Sequence, residues 1–117
     1  MDIENIKNHD KYKDIITMCS LDKINFVYNY TLNNFKNIGD IFEIGTFAGA
    51  ITQSLALASE KFKPNIYTVD KFEWDNDKKK KFPNLSFQIK DDFSNYVIDS
   101  LSHFENIKIF KSNFVDL

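Results

Sequence analysis

The sequence has little cysteine, little histidine and no long hydrophobic run, and each shortage excludes a class of protein. The single cysteine, Cys19, cannot form an intramolecular disulfide, and two histidines are too few to complete a Cys/His metal cluster. This composition fits a reducing compartment, so we expect a cytoplasmic protein. Because no apolar stretch is long enough, neither a signal peptide nor a membrane span is expected.

The net charge and the chain length exclude further classes of protein. Fifteen basic residues stand against 17 acidic ones, giving a net charge of −2, which argues against a nucleic-acid or membrane-surface partner. The chain has 117 residues, of which 43% are hydrophobic, with 12 Phe, 5 Tyr and 1 Trp. These numbers predict one small domain with its own core.

Apolar periodicity predicts alternating helices and strands. Helical spacing is found in Leu21–Lys36, Ala50–Phe62 and Asp91–Glu105, and strand patterns in Asp40–Ile44, Asn65–Val69 and Ile107–Phe110. The N-terminal extension, residues 1–20, carries Ile3, Ile6, Ile15 and Ile16, which mark either a short helix or a frayed end. The polar stretch Lys71–Asn84 is interpreted as a loop. Alternation of this kind implies an α/β fold with a parallel sheet and right-handed crossovers.

The most informative motif lies where the first strand turns into a helix. Glu43-Ile44-Gly45-Thr46-Phe47-Ala48-Gly49 places glycines at the turn and at the helix start. Such glycines permit positive φ and close ligand approach, and the helix start offers N–H groups. A structural alternative is that any strand-to-helix turn needs a glycine. Asp70, about 20 residues after Gly49 at the end of the second strand, favours a ribose-containing ligand.

These residues, with the segment Val69-Asp70-Lys71-Phe72-Glu73, resemble class I S-adenosylmethionine-dependent methyltransferases, nearest to the macrocin-type O-methyltransferases. The resemblance covers residues 21–117 and implies O-methylation of a small molecule or sugar. It implies that Glu43, Gly45 and Gly49 shape the methionine pocket, that Asp70 holds the ribose, and that Phe72, or else Trp74, lies against the adenine. The implied cofactor-binding set is Glu43, Gly45, Thr46, Phe47, Gly49, Asp70, Lys71, Phe72 and Asn113.

The chain departs from the family pattern in two places. Ser112 and Asn113 stand where many relatives have an acidic residue near the adenine amine, although Asn113 can still accept a hydrogen bond. The family fold has about seven strands, and this sequence reaches only the third. We therefore expect a Rossmann-like three-layer fold truncated to about three parallel strands, in the order 3-2-1, and we name no catalytic residue and no metal ligand.

A sheet of this kind has a physical weakness. Right-handed crossovers put the helices mainly on one face, whereas parallel sheets are normally covered on both. We expect the bare face to associate with a second copy of the chain or with a missing C-terminal half. The alternative function is a non-catalytic remnant or interaction module that uses this face.

Other readings are weaker. A nicotinamide dinucleotide domain is disfavoured because Phe47 occupies the position of the second glycine of a G-x-G-x-x-G loop. Lys78–Lys81 could touch phosphate, but acidic residues precede it and a solvated loop is the simpler interpretation. Asp91-Asp92 is explained by helix capping rather than by metal binding. His103 is interpreted as a packing or surface histidine rather than a general base.

Overall fold

The computed structural model of the chain describes residues 5–88, 91–113 and 115. Within this part, one or two helices separate successive strands, and three parallel strands form one open sheet, so the predicted α/β class is confirmed. The elements are α1 (Leu21–Asn34), β1 (Ile41–Ile44), α2 (Ala50–Ala58), β2 (Ile66–Asp70), α3 (Asn76–Lys81), α4 (Asp92–Leu101) and β3 (Ile107–Lys111).

The strands lie in the order β1-β2-β3, with β2 in the middle. Ile41 pairs with Ile66 and Ile66 with Ile107, so the three strands start level with one another. Their carboxyl ends therefore meet at one edge, where Gly45 N donates to Val69 O at 2.8 Å and Ser112 N to Asp70 O at 2.9 Å. This edge carries the residues of the candidate site.

The helices α2 and α4 pack on the same face of the sheet, here called the inner face. Because side chains alternate along a strand, this face carries Ile41, Glu43, Ile66, Thr68, Ile107 and Ile109. Thr52 of α2 bonds Glu43, and Ile107 and Ile109 pack with Phe93 and Val97 of α4. Helix α1 packs in turn against α2 through a cluster that includes Ile24, Tyr28 and Leu57.

The opposite, outer face of the sheet is partly open to solvent. It carries Phe42, Ile44, Tyr67, Val69, Lys108 and Phe110. Phe42 is 51% exposed, Ile44 60% and Phe110 41%, whereas Val69, in the central strand, is buried. Tyr67 and Phe110 stack with their ring centroids 6.2 Å apart. Apolar side chains thus remain accessible on this face of the described structure.

The segment before α1 contains no helix where it is described. Residues 5–19 form turns and irregular chain, and Ile6 is fully buried against α1 and α2. Asn25 accepts a hydrogen bond from Ile6 N at 2.9 Å, and Gln53 pairs with both the N–H and the carbonyl of Lys13. Buried amides satisfy this backbone and hold it in place. Ile3 lies outside the described residues.

The predicted helices are longer than the observed ones. Helix α2 ends at Ala58 and α4 at Leu101. The serine just beyond each helix donates its side-chain hydroxyl to a carbonyl of the last turn. Ser59 Oγ donates to Leu55 O at 2.6 Å, and Ser102 Oγ to Asp99 O at 2.8 Å. Such side chains compete with the helical hydrogen-bond pattern.

The expected loop over Lys71–Asn84 contains a short helix, α3. Asp75 caps it by accepting from Lys78 N at 3.0 Å, with Asp77 in its first turn and the lysines following. This charge order suits the helix dipole, so a helix forms without any apolar stripe. No helix in the described part of the chain has the length and apolar character needed to cross a bilayer.

Candidate functional site

The turn after β1 leaves its first glycine open. Gly45 has φ +88°, a conformation that favours glycine, and a Cβ built on it meets no atom within 4 Å. Its N–H is fixed by Val69 O at the end of the neighbouring strand. The backbone here is positioned rigidly and can be approached closely from outside.

The second glycine of the motif has a structural role. Gly49 precedes α2 with φ +97°, and a Cβ on it would lie 2.7 Å from Leu101 Cδ1. Gly49 is buried under α4, so this glycine lets α2 and α4 approach each other. Its left-handed backbone and this packing contact together explain its presence.

Asp70 joins the two loops at the end of the sheet. Its Oδ2 accepts from Phe47 N and its Oδ1 from Phe72 N, both at 2.8 Å. Phe47 (φ +47°) and Phe72 (φ +57°) are both left-handed, a conformation that non-glycine residues rarely adopt. The carboxylate therefore holds both strained residues in place, and each of its oxygens keeps a further acceptor position.

Glu43 lies beneath the turn in a network of threonines. Its Oε1 accepts from Thr52 at 2.5 Å and from Thr68 at 2.6 Å. Thr46 Oγ1 lies 2.6 Å from Thr68 Oγ1, and since Thr68 gives its proton to Glu43, Thr46 is the donor. Burial raises the pKa of Glu43, and the two threonine hydrogen bonds oppose that rise.

An open cavity of about 210 Å³ lies over the carboxyl ends of the three strands. Of the predicted cofactor residues, it brings together Gly45, Asp70, Lys71 and Asn113. Its complete lining is Ile44, Gly45, Val69, Asp70, Lys71, Ser112 and Asn113. Hydroxyl, amide, carboxylate and ammonium groups thus surround an apolar floor, which suits a polar organic ligand.

The remaining predicted residues lie outside this cavity. Thr46 is buried and Gly49 packs on Leu101, while Glu43 lies below the turn. Phe47 and Phe72 both contact Phe93, at centroid distances of 5.6 and 6.1 Å. These two phenylalanines belong to an aromatic cluster under the loops, although Phe72 also lines a neighbouring cavity of about 510 Å³.

Two weaker candidates can now be located. Asp91 occupies the N-cap position of α4, but its side chain forms an ion pair with Lys111 of β3 instead of a capping hydrogen bond. His103 is exposed beside Phe104, and partial burial together with the charge of Lys13 lowers its pKa. Among the residues that the structure describes, no three His, Cys, Asp or Glu side chains are grouped to hold a metal ion.

The sequence did not predict Thr52 and Thr68, which donate hydrogen bonds to Glu43. It also did not predict Ile44 and Val69, which line the cavity. Thr68 had a usable signal, because it lies on the second strand two residues before Asp70 and faces the same side as Glu43 once the strands are paired. Thr52 had none, since its distance from Glu43 depends on how α2 packs.

Comparison with known proteins adds no relative. A scan of protein-family models and a search of curated proteins both found nothing that matches this chain.

Proposed function

We propose that the chain carries the S-adenosylmethionine-binding part of a Rossmann-like class I methyltransferase that acts on a hydroxyl group of a small molecule or sugar. The single observation that carries this proposal is the convergence of Gly45, Asp70 and Asn113 around one open cavity at the carboxyl edge of a parallel sheet. Ligands of open α/β sheets bind at this edge.

The residues present fit the proposed cofactor. Gly45 leaves its outer side open, so the amino-acid part of a ligand can lie against the backbone. Asp70 uses one acceptor position of each oxygen for Phe47 N and Phe72 N, and the remaining positions can accept two ribose hydroxyls. Asn113, at the edge of the cavity, can accept from or donate to a nucleobase.

When bound, S-adenosylmethionine supplies a methyl group activated by its sulfonium. The residues of this chain hold and orient it; transfer then requires an acceptor hydroxyl aligned with that methyl group. We assign no catalytic residue, and the proposed partner is the small-molecule methyl acceptor.

The same geometry disfavours a nicotinamide dinucleotide. A pyrophosphate binds loop N–H groups at a helix start. Here the N–H of Phe47 already donates to Asp70, and the carboxylate would repel a second anion. An uncharged ribose next to Asp70 meets no such repulsion.

Calorimetric titration with S-adenosylhomocysteine tests the proposal. We expect saturable binding by the wild-type chain, no binding of NADH, and at least about tenfold weaker binding after Asp70→Asn. Asp40→Asn is a matched control, because Asp40 also accepts a backbone N–H, from Asn65 at 3.1 Å, but lies just before β1, at the opposite end of the strand from Gly45. If folded wild-type protein binds no S-adenosylhomocysteine, the cofactor proposal fails.

The second candidate function is an interaction module, and the exposed outer face favours it. Ile44 and Phe110 are apolar residues of two different strands, both more than 40% exposed. We propose a second copy of the chain as the partner of this face. Light scattering after size exclusion should give a dimer that Ile44→Glu with Phe110→Glu converts to monomer. A wild-type monomer at high concentration would exclude self-association.

A further inference from the structure

The irregular segment before α1 is bonded to the first turn of α2. Gln53 is buried, and its side-chain amide pairs with both backbone groups of Lys13. Lys13 N donates to Gln53 Oε1 at 3.1 Å, and Gln53 Nε2 donates to Lys13 O at 2.8 Å. The backbone N–H of Gln53 donates to Gly49 O at 2.8 Å. One residue therefore joins Lys13 to residues 45–49, the site loop between β1 and α2.

Apolar side chains fix the same segment beside the site loop. Residues 13–16, the strap, contain neither helix nor strand. Ile15 is buried in one apolar cluster with Ala48 of the site loop. Ile16 of the strap and Phe47 of the site loop both pack against this cluster. Because no backbone ladder secures the strap, these few contacts decide whether it stays docked.

The site loop contains a strained residue next to the proposed cofactor cleft. Phe47 has φ +47°, and a left-handed residue of this kind persists only where its surroundings hold it. Its N–H donates to Asp70, which lines the cleft together with Gly45. The site loop therefore lies between two sets of contacts: Ala48 belongs to the cluster of the strap, and Gly45 borders the ligand.

We propose that the strap holds the site loop in its binding conformation, so that docking of the strap and binding of a ligand at Gly45 and Asp70 strengthen each other. Both favour the same position of Phe47, and a coupling of this kind acts equally in both directions. Gln53 does not line the cleft, so it is a positioning residue that acts through the site loop. The identity of the ligand rests on the proposed cofactor function, whereas the contact of the strap with the loop does not.

Amide hydrogen exchange followed by NMR tests the hold on the loop without any ligand. Gln53→Glu keeps the size of the side chain and can accept from Lys13 N, but an ionised carboxylate cannot donate to Lys13 O. In this variant the amide of Phe47 should exchange at least about fivefold faster than in wild type. The amide of Ile41, at the opposite end of β1, should exchange at the wild-type rate, because the loosening is local.

Two further variants complete this comparison. Ser54→Ala is the matched control, because it removes a buried hydrogen bond that stays within α2, to Ala50 O at 2.9 Å, and it should leave Phe47 unchanged. Ile15→Ala removes the apolar anchor of the strap and should speed exchange at Phe47 as Gln53→Glu does. The proposal is overturned if Phe47 exchanges at the wild-type rate in both folded strap variants. It is also overturned if Ile41 is accelerated as much as Phe47, since that would be a general loss of stability.

Titration with S-adenosylhomocysteine tests the coupling. We expect at least about fivefold weaker binding by Gln53→Glu than by wild type, and slower exchange of the Lys13 amide in wild type at saturating ligand. Equal binding by both proteins, with exchange at Lys13 unchanged by the ligand, would overturn the coupling while the cofactor proposal stands. If folded wild-type protein binds no S-adenosylhomocysteine, the cofactor proposal and the coupling both fail, and exchange at Phe47 still decides whether the strap holds the loop.

Discussion

Replacing Gly49 with alanine tests how the turn after β1 is built. The variant adds a Cβ 2.7 Å from Leu101 Cδ1 and forces alanine to φ +97°. The left-handed conformation costs about 1–2 kcal/mol, and the overpacking about 1–3 kcal/mol. A total of about 2–5 kcal/mol is a large part of the stability of a domain this small.

Two other glycines are matched controls for the backbone strain. Gly45 and Gly39 have φ +88° and +77°, and a Cβ on either meets nothing within 4 Å. For Gly45→Ala and Gly39→Ala the free energy of unfolding should therefore fall by only about 1–2 kcal/mol, which is the cost of the backbone strain. Urea unfolding followed by circular dichroism measures all three variants.

The comparison has a clear refuting result. If Gly49→Ala unfolds at the same urea concentration as Gly45→Ala, the contact with Leu101 does not limit this position and the packing argument is wrong. Adding Leu101→Ala to Gly49→Ala removes the clash but leaves a cavity. The double variant should therefore lose less free energy of unfolding than the two single variants lose in total.

Three further changes have defined outcomes. The raised pKa of Glu43 means that protonation stabilises the fold, an effect complete below about pH 4.5 and lost as pH rises through the folded pKa. Glu43→Gln should thus stabilise the protein at pH 7 relative to wild type and lose this advantage near pH 4; equal effects at both pH values would contradict the burial argument. Asn25→Ala should lower the free energy of unfolding by about 1–3 kcal/mol and speed tryptic cleavage after Lys7, because Ile6 N loses its buried acceptor. Unchanged cleavage would show that the Asn25 amide does not hold residues 5–19 in place. Phe93→Ala should cost about 3–5 kcal/mol in urea unfolding, since its side chain is buried among other aromatic rings; a loss below about 1 kcal/mol would mean that the cluster repacks.

The fold class could be predicted because the apolar pattern is strong where it matters. Phe93, Val97 and Leu101 recur at helical spacing and are all buried, and the β-branched run of β2 forms the central strand. Helix α3 could not be found this way, because it has no buried residue and is specified by its cap and charge order. Residues 5–19 were equally out of reach, since buried amides on distant helices fix them.

The candidate site was predictable in its position but not in its connections. Gly45 and Asp70 could be placed at one edge because parallel strands end together. The partners of Asp70 could not be foreseen, because both are backbone N–H groups of left-handed phenylalanines, and phenylalanine gives no sequence signal for positive φ. The packing role of Gly49 depends on Leu101, 52 positions later in the chain.

The most direct test of the cofactor cleft compares two glycine variants that carry the same backbone strain. S-adenosylhomocysteine is titrated into wild type, Gly45→Ala and Gly39→Ala, each first shown to be folded. We expect wild type and Gly39→Ala to bind alike and Gly45→Ala to bind at least about tenfold more weakly, because, of these two glycines, only Gly45 lines the cavity. Equal binding by all three, or no binding by wild type, would contradict the cleft at Gly45 as the cofactor site.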